Sequence, residues 1–386
     1  MEKQRSISKL LPVLFGFFVM GFCDVVGISS NYVKQDFNLS NTMANFLPFM
    51  VFIWFFIFSI PTGMMMNKLG RKKTVQLSNI ITFAAMLIPF IEYSYYSCLL
   101  AFAFLGIANT ILQVSLNPLL SNVVRNDQLT SSLTAGQFVK AVSSFSGPFI
   151  AAFAVSYFGN WQLMFPIFAG ITFVFLIWLQ LTPIMETTEK SNTSSFSEVW
   201  GLLKDKTIVL LFLGILFVVG VDVGINTVTP RILMERCGIL VEEANYGVSV
   251  YFACRTAGAF IGAFILSRFS ATKFFRIGMV IAMTALAGLF FVSGKLSILV
   301  LVGIIGFSCA NVFSILFSIA LRRMPEKANE VSGLMITGVA GGALLPVLMG
   351  LATDLWGDQS GAVAVISLCG LYLLICSFLL KIKREL

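Results

Sequence analysis

Apolar residues run in long blocks along this chain, interrupted at intervals by short clusters of charge, glycine and asparagine. Twelve blocks reach the roughly 20 residues that an α-helix needs to cross a bilayer. They lie near residues 10–31, 44–66, 74–92, 97–119, 130–157, 161–182, 207–230, 246–267, 274–293, 297–321, 331–354 and 361–380. Outer-membrane strands are about ten residues long and alternate in polarity, and these blocks do neither. The pattern predicts an all-α integral membrane protein, since a helix satisfies its own main-chain polar groups in lipid. The first block lacks a small-residue cleavage site and carries Asp24 in its middle. It is therefore expected to stay as a span, unlike a signal peptide.

Residues 183–206, PIMETTEKSNTSSFSEVWGLLKDK, form the longest polar segment and part six spans from six. The expected organisation is an N-terminal six-helix bundle at 1–182, a cytoplasmic linker at 183–206 and a C-terminal six-helix bundle at 207–386. A shift of 198 residues lays Gly16 on Gly214, Asp24 on Asp222, Pro148 on Pro346 and Gly159 on Gly357. Four such coincidences at one offset, one of them an acid inside a span, point to duplication of a six-span unit. The expected fold is thus twelve transmembrane helices in two pseudo-symmetric six-helix bundles. Parallel halves of this kind are a transporter plan with a binding site between them near mid-membrane.

Composition sharpens the class. Of 386 residues, 58% are hydrophobic and 11% charged, and the mean hydropathy is +0.91. A soluble domain carries about 25% charged residues, so a cytosolic globular enzyme is excluded. The formal charge of +8 is a matter of position. Twenty of the 26 Lys and Arg lie at the two termini and in the loops after even-numbered spans; Lys34, Arg231, Arg236 and Lys295 lie on the opposite side. Such an excess places both termini in the cytoplasm, in a bacterial inner membrane, and makes nucleic acid an unneeded partner. No histidine is present, and the seven cysteines are scattered without metal-ligand spacing. Neither a metal site nor a cofactor is expected, and with no nucleotide-binding glycine loop the chain does not read as an enzyme.

Between spans 2 and 3 the chain reads Gly63-Met-Met-Met-Asn67-Lys68-Leu69-Gly70-Arg71-Lys72-Lys73. This resembles the signature loop of the major facilitator superfamily, G-x-x-x-D-R-x-G-R-R/K. The resemblance implies a loop whose glycines permit close approach and whose cations meet helix ends and acids, stabilising one conformation. Gly63, Asn67, Gly70, Arg71 and Lys72 are its expected members. The acid of the pattern is Asn67 here. A degraded echo, Ser267-Arg268-Phe269-Ser270, stands near the repeat position.

Ionisable groups within hydrocarbon are costly and mark functional positions. Span 1 carries Asp24. Span 4 carries Asn109, Gln113 and Asn117 on one helical face, and span 5 carries Gln137, Lys140 and Ser144 on another. Span 7 has Asp222, Asn226 and Thr229, span 8 has Arg255, and span 10 has Asn311, Ser314 and Ser318. Spans 1, 4, 7 and 10 thus each carry a polar stripe, as a central hydrophilic cavity requires. Helix–helix hydrogen bonding accounts equally for single amides and hydroxyls. Two arrangements of the charges fit. Asp24 with Lys140 and Asp222 with Arg255 would form neutral pairs, or Lys140 and Arg255 would stay open to an anionic substrate. Without histidine, the carboxylates are the side chains suited to carry a proton, because burial favours their neutral form and a nearby cation the ionised one.

The run Leu112-Gln113-Val114-Ser115-Leu116-Asn117-Pro118, then Leu133-Thr134-Ala135-Gly136-Gln137-Phe138, is similar to the fucose–galactose–glucose porter (L-fucose permease-like) branch of that superfamily, as is Gly21-Phe22-Cys23-Asp24. The resemblance implies proton-coupled sugar uptake, with acids in spans 1 and 4 tied to coupling and binding. Gln113 stands where the span 4 acid would be, and an amide cannot titrate. Asp24 becomes the expected proton-coupling residue, with Asp222 second. Asn109, Gln113, Asn117, Gln137, Lys140, Asn226, Arg255 and Asn311 are the expected substrate-binding residues, since amides both donate to and accept from sugar hydroxyls. The leading expectation is secondary active import of a monosaccharide or sugar derivative, working as a monomer, with a proton as coupling ion or else sodium. Symport of an acidic sugar or organic anion (sialic acid, hexuronate) through Lys140 or Arg255 is the alternative, and drug export a weaker one.

Overall fold

The computed structural model describes residues 2–39, 41–186, 196–239, 244 and 246–380. Among these residues there are helices and turns and no strand. Eleven helices are long and apolar enough to cross a membrane, and they coincide with expected spans 2 to 12. Their outward surfaces fit lipid. On span 5 (Leu129–Phe158), Phe145, Phe149 and Phe153 share one face and are 63%, 61% and 49% exposed. Contiguous aromatic surface of that kind is a liability in water and the natural coat in a bilayer.

Span 1 is the exception among the expected twelve. It is built of three pieces: an α-helix Glu2–Met20, a 3-10 segment Gly21–Val25 and an α-helix Val26–Asp36. No proline stands at the change of winding. Its repeat counterpart, span 7, is one unbroken helix, Lys206–Cys237. The converse holds for spans 4 and 10. Span 4 is continuous over Tyr95–Ser121, whereas span 10 stops at Cys309 and resumes at Val312. Span 11 is likewise interrupted, by the 3-10 turn Gly338–Ala340.

The positions that coincide at the 198-residue offset have matching local roles. Gly159 and Gly357 each end a helix in the left-handed conformation, with φ of 67° and 81°, which glycine adopts without steric cost. Gly16 and Gly214 each leave room for a leucine. A Cβ there would lie 2.9 Å from Leu116 Cδ1 in the first case and 2.9 Å from Leu316 Cδ1 in the second.

Contacts group the chain into two units. One comprises Met1–Leu129, Gly136–Gly201 and Met324–Thr337; the other comprises Thr130–Ala135, Leu202–Arg323 and Gly338–Leu386. The first turns of spans 5 and 11 are thus each assigned away from the rest of their helix. In the first unit Ser332 donates to the Val114 carbonyl at 2.6 Å. In the second, Thr130 and Ser318 hydroxyls share a hydrogen bond of 2.7 Å, and Arg322 donates to Thr130.

Span 7 begins at a polar cap. Asp205 accepts from the main-chain N–H groups of Thr207 (2.7 Å) and Ile208 (3.3 Å) and pairs with Arg323 at 2.9 Å. Burial pushes its carboxyl up, but the Arg323 and main-chain hydrogen bonds outweigh burial and hold it below the ordinary value. A depressed carboxyl stabilises the fold above its unfolded value and loses that contribution as pH falls through the folded one. Asp205→Ala is therefore expected to cost about 1–2 kcal/mol at neutral pH, read as a lower unfolding temperature in detergent. The gap between variant and parent should narrow below about pH 4; a gap independent of pH would show that the cap does not act through its charge.

Candidate functional site

The break in span 1 sets the geometry around Asp24. Gly21 lies so close to span 5 that a Cβ there would meet the Lys140 carbonyl oxygen at 2.8 Å and Ser143 Cβ at 2.7 Å. Three residues further on, Asp24 meets the side chains that follow on span 5. Ser144 Oγ donates to Asp24 Oδ2 at 2.6 Å, and Lys140 Nζ stands 3.8 Å from the same oxygen. Cys23 Sγ lies 3.3 Å from Oδ1, and its one S–H is shared between that oxygen and the Met20 carbonyl. The carboxylate side chain keeps 36% of its surface accessible and the lysine 22%. This is a loose ion pair with a hydroxyl bound to the acid and one open flank.

Asp222 is held differently. Arg255 Nη2 reaches its Oδ2 at 2.7 Å, and the fully buried Tyr251 hydroxyl donates to Oδ1. Its side chain is 17% accessible. Both charge pairs are therefore formed, each within its own unit, and neither cation stands without a carboxylate. The pairs are not repeat-related. At the 198-residue offset Lys140 registers with Gly338 and Arg255 with Ile57, so each half met the cost of a buried acid with a cation from a different helix.

The span 4 stripe turns toward neighbouring helices. Asn109 (2% exposed) donates to the Met20 carbonyl of span 1 at 2.9 Å and accepts from Gln113 Nε2 at 2.8 Å. Asn117 (1% exposed) donates to the Gln113 carbonyl at 2.8 Å. In the second unit Asn311, at the interruption of span 10, donates to the Gly258 carbonyl of span 8 at 3.0 Å and fills the space left by Gly262. Gln137 and Asn226 are half-buried, one turn from Lys140 and Asp222 respectively. The Asn226 carbonyl oxygen is enclosed without a hydrogen-bond partner among the described residues. Thr229 bonds back to the Ile225 carbonyl at 2.6 Å.

The loop between spans 2 and 3 is a hydrogen-bonded knot. Gly70 takes φ of +84°, and the next two main-chain N–H groups, of Arg71 and Lys72, donate to the two carboxylate oxygens of Glu186 at 2.7 and 2.6 Å. An acid at a helix N-terminus satisfies orphan donors and the helix dipole together. The Arg71 guanidinium donates to Asn329 Oδ1 at 2.8 Å, to the Pro118 carbonyl at 3.1 Å and to Asn122. Lys72 Nζ donates to the Gln180 and Thr182 carbonyls at the end of span 6. Asn67 accepts from Asn329 at 2.6 Å and donates to Glu330 Oε1 at 2.5 Å. Close by, a Cβ at Gly63 would lie 2.8 Å from the Asn329 carbonyl oxygen. The acid absent at position 67 thus stands opposite it, at position 330.

Tyr251, Glu186, Asn329 and Glu330 are the site residues that sequence reasoning missed. Glu186 falls in the expected linker, and Glu330 lies just before the expected start of span 11. The one signal for the two glutamates is arithmetic: a loop with four cations and no acid of its own needs carboxylates from elsewhere.

Asn67→Asp would set two carboxylates at hydrogen-bond distance around a half-buried contact and remove its donor. A loss of about 1–3 kcal/mol is expected, measured as a fall in unfolding temperature of the detergent-solubilised protein. Adding Glu330→Gln should restore most of it, because the glutamine then donates to the carboxylate introduced at position 67. If the double variant is no more stable than Asn67→Asp alone, the contact is not what makes position 67 prefer an amide.

Comparison with known proteins bears on this arrangement. Residues 13–346 match the family model described as Major Facilitator Superfamily. The chain is 22% identical over 361 residues to the glucose/galactose transporter of Brucella abortus, covering 88% of this chain and 86% of that one. It is 23% identical over 401 residues to the putative glucose/galactose transporter of Helicobacter pylori, covering 97% of each. The crystal structure of the E. coli fucose:proton symporter superposes with a TM-score of 0.86 at 16% identity, over 97% of this chain and 98% of that one.

Proposed function

The chain belongs to the Major Facilitator Superfamily, and on that premise we propose that it imports a monosaccharide or sugar derivative by proton-coupled symport through alternating access. Relatives described as glucose/galactose transporters and a fold neighbour described as a fucose:proton symporter support a neutral sugar as substrate. We place the protein in a bacterial inner membrane as a monomer, with twelve helices in two pseudo-symmetric bundles (1–182 and 207–386, joined by the linker 183–206) and both termini cytoplasmic. The charge distribution of the loops supports that orientation.

The observation that carries the coupling assignment is the contrast between the two acids. Asp222 is enclosed by Tyr251 and Arg255. Asp24 is accessible, loosely paired at 3.8 Å and bound by Ser144. A site that must take up and release a proton needs an accessible carboxylate and partners able to re-form, and the exposure and loose pairing of Asp24 support that role. When a proton neutralises Asp24, Lys140 loses the charge it faces and its ammonium becomes a donor for a sugar hydroxyl. Gln137, beside Lys140, and Asn226 and Arg255 are the members of the expected binding set that keep accessible surface. We assign sugar contact to these four. Asp222 then serves as a fixed counter-charge, and the Gly63–Lys72 loop as the element that stabilises one conformation.

Asp24→Asn is expected to abolish accumulation against a gradient in proteoliposomes with an imposed pH difference, while sugar exchange persists. Retained accumulation would remove Asp24 from the coupling step. The substrate class is tested by uptake and competition with D-glucose, D-galactose and L-fucose against a hexuronate and a sialic acid. Inhibition by the neutral sugars alone is expected; inhibition by the acidic ones alone would return Lys140 and Arg255 to the role of anion receptors.

A further inference from the structure

Asp24 and Asp222 occupy the same register of the repeat, yet one rides on a change of helix winding and the other on a straight helix. Where α-winding tightens to 3-10, carbonyl groups lose their aligned partners one turn on. The Met20 carbonyl stands at that junction, and two side chains donate to it: Cys23 Sγ at 3.3 Å and Asn109 Nδ2 at 2.9 Å. A carbonyl only accepts, so Asn109 must present its NH2 there and its oxygen on the far side. Gln113 fills that far side, donating Nε2 to Asn109 Oδ1 at 2.8 Å. Both amides are buried, 2% and 7% exposed, and Asn109 has one amide atom on the junction and the other on Gln113.

Among the described residues the second half has no such arrangement. Asn109 registers with Phe307, which carries no hydrogen-bonding group, and span 7 has no junction for it to serve. Gln113 registers with Asn311, whose amide goes to the Gly258 carbonyl of span 8. The amide pair and the broken helix therefore occur together in one half and are absent together from the other.

We propose that Asn109 and Gln113 form a clamp that holds the junction in span 1 and so fixes Asp24 against Lys140 and Ser144. They are positioning residues for the acid and not sugar ligands. The proposal rests on the assignment of Asp24 as the coupling residue, and it deepens that assignment. Gly21 supplies the opposing wall, since span 5 presses on the junction from the other side at the Lys140 carbonyl.

Two variants test the clamp. Asn109→Leu removes the donor to Met20. Gln113→Glu keeps the side chain's size but, once ionised, faces Asn109 Oδ1 with acceptors alone; a sugar ligand at this position would tolerate the change, because a carboxylate still binds hydroxyls. Should Asn109→Leu fail to fold, Gln113→Glu carries the test alone. The first readout is independent of transport. Cys23 is 1% exposed at the junction, and its modification by N-ethylmaleimide is followed by peptide mass spectrometry, with Cys98, fully buried at the far end of span 4, as internal reference. Losing one buried hydrogen bond should raise Cys23 labelling about five- to tenfold and leave Cys98 unchanged. The double variant should exceed the single ones little. The second readout is the pH dependence of accumulation of the neutral sugar taken up best in the screen above. Its midpoint should shift while the KM for exchange stays put. Unchanged Cys23 labelling in a folded variant overturns the clamp, as does a raised KM with an unshifted pH midpoint. If Asp24→Asn itself still accumulates sugar, the coupling assignment has failed separately, and Cys23 labelling alone judges the clamp.

Discussion

Lipid offers no hydrogen bonds, so each main-chain carbonyl or charge that leaves regular helix geometry must find its partner inside the protein. That constraint orders most of what is unusual in this chain. The Met20 carbonyl at the break in span 1 takes Asn109 and Cys23. The Gly258 carbonyl on span 8 takes Asn311. Lys140 and Arg255, in the middle of spans 5 and 8, each face an aspartate. Outside the apolar blocks, where lipid does not impose it, the first N–H groups of span 3 take the Glu186 carboxylate and Lys72 takes carbonyls at the end of span 6. Polar residues in such a setting are satisfied first and functional second. The groups that keep an open side after this accounting are the ones with freedom to act.

Asp24 is the clearest of these. Its partner at 3.8 Å lies at the outer limit of an ion pair, while Arg255 holds Asp222 at 2.7 Å. Removing one member of a buried, hydrogen-bonded pair leaves an uncompensated charge and costs several kcal/mol, so an acid locked as tightly as Asp222 is poorly placed to change its charge in every cycle. The two acids share a repeat register and differ through their neighbours: a cation from span 5 in one half, a cation and a tyrosine from span 8 in the other.

The spans were legible because apolar blocks of the required length admit few alternatives. The charge pairs were one of two arrangements open to the sequence, the other leaving Lys140 and Arg255 to an anionic substrate, and the structure forms both pairs. The break in span 1 was not. Gly21-Phe-Cys-Asp-Val contains no proline, and its winding depends on Asn109, far along the chain, and on how closely span 5 approaches. The span 4 amides were visible as a stripe, but periodicity says which residues share a face and not whether that face meets water or another helix. Here it meets a helix. Asn67 stood out as a departure from the loop pattern, whereas its reason, Glu330, lies 263 residues away and shares no local signal with it.

The same chemistry explains why position 113 carries an amide. An ionised glutamate there could not donate to Asn109 Oδ1, and Asn109 could not reverse its amide without turning an oxygen toward the Met20 carbonyl. A protonated glutamate could donate, but only while it kept its proton. A titrating acid on span 4 and a stable junction in span 1 are therefore incompatible in this chain. With Gln113 committed to Asn109, the acid that the junction itself displays is Asp24, and the proposed proton-carrying role rests on the loose grip that Lys140 and Ser144 have on it.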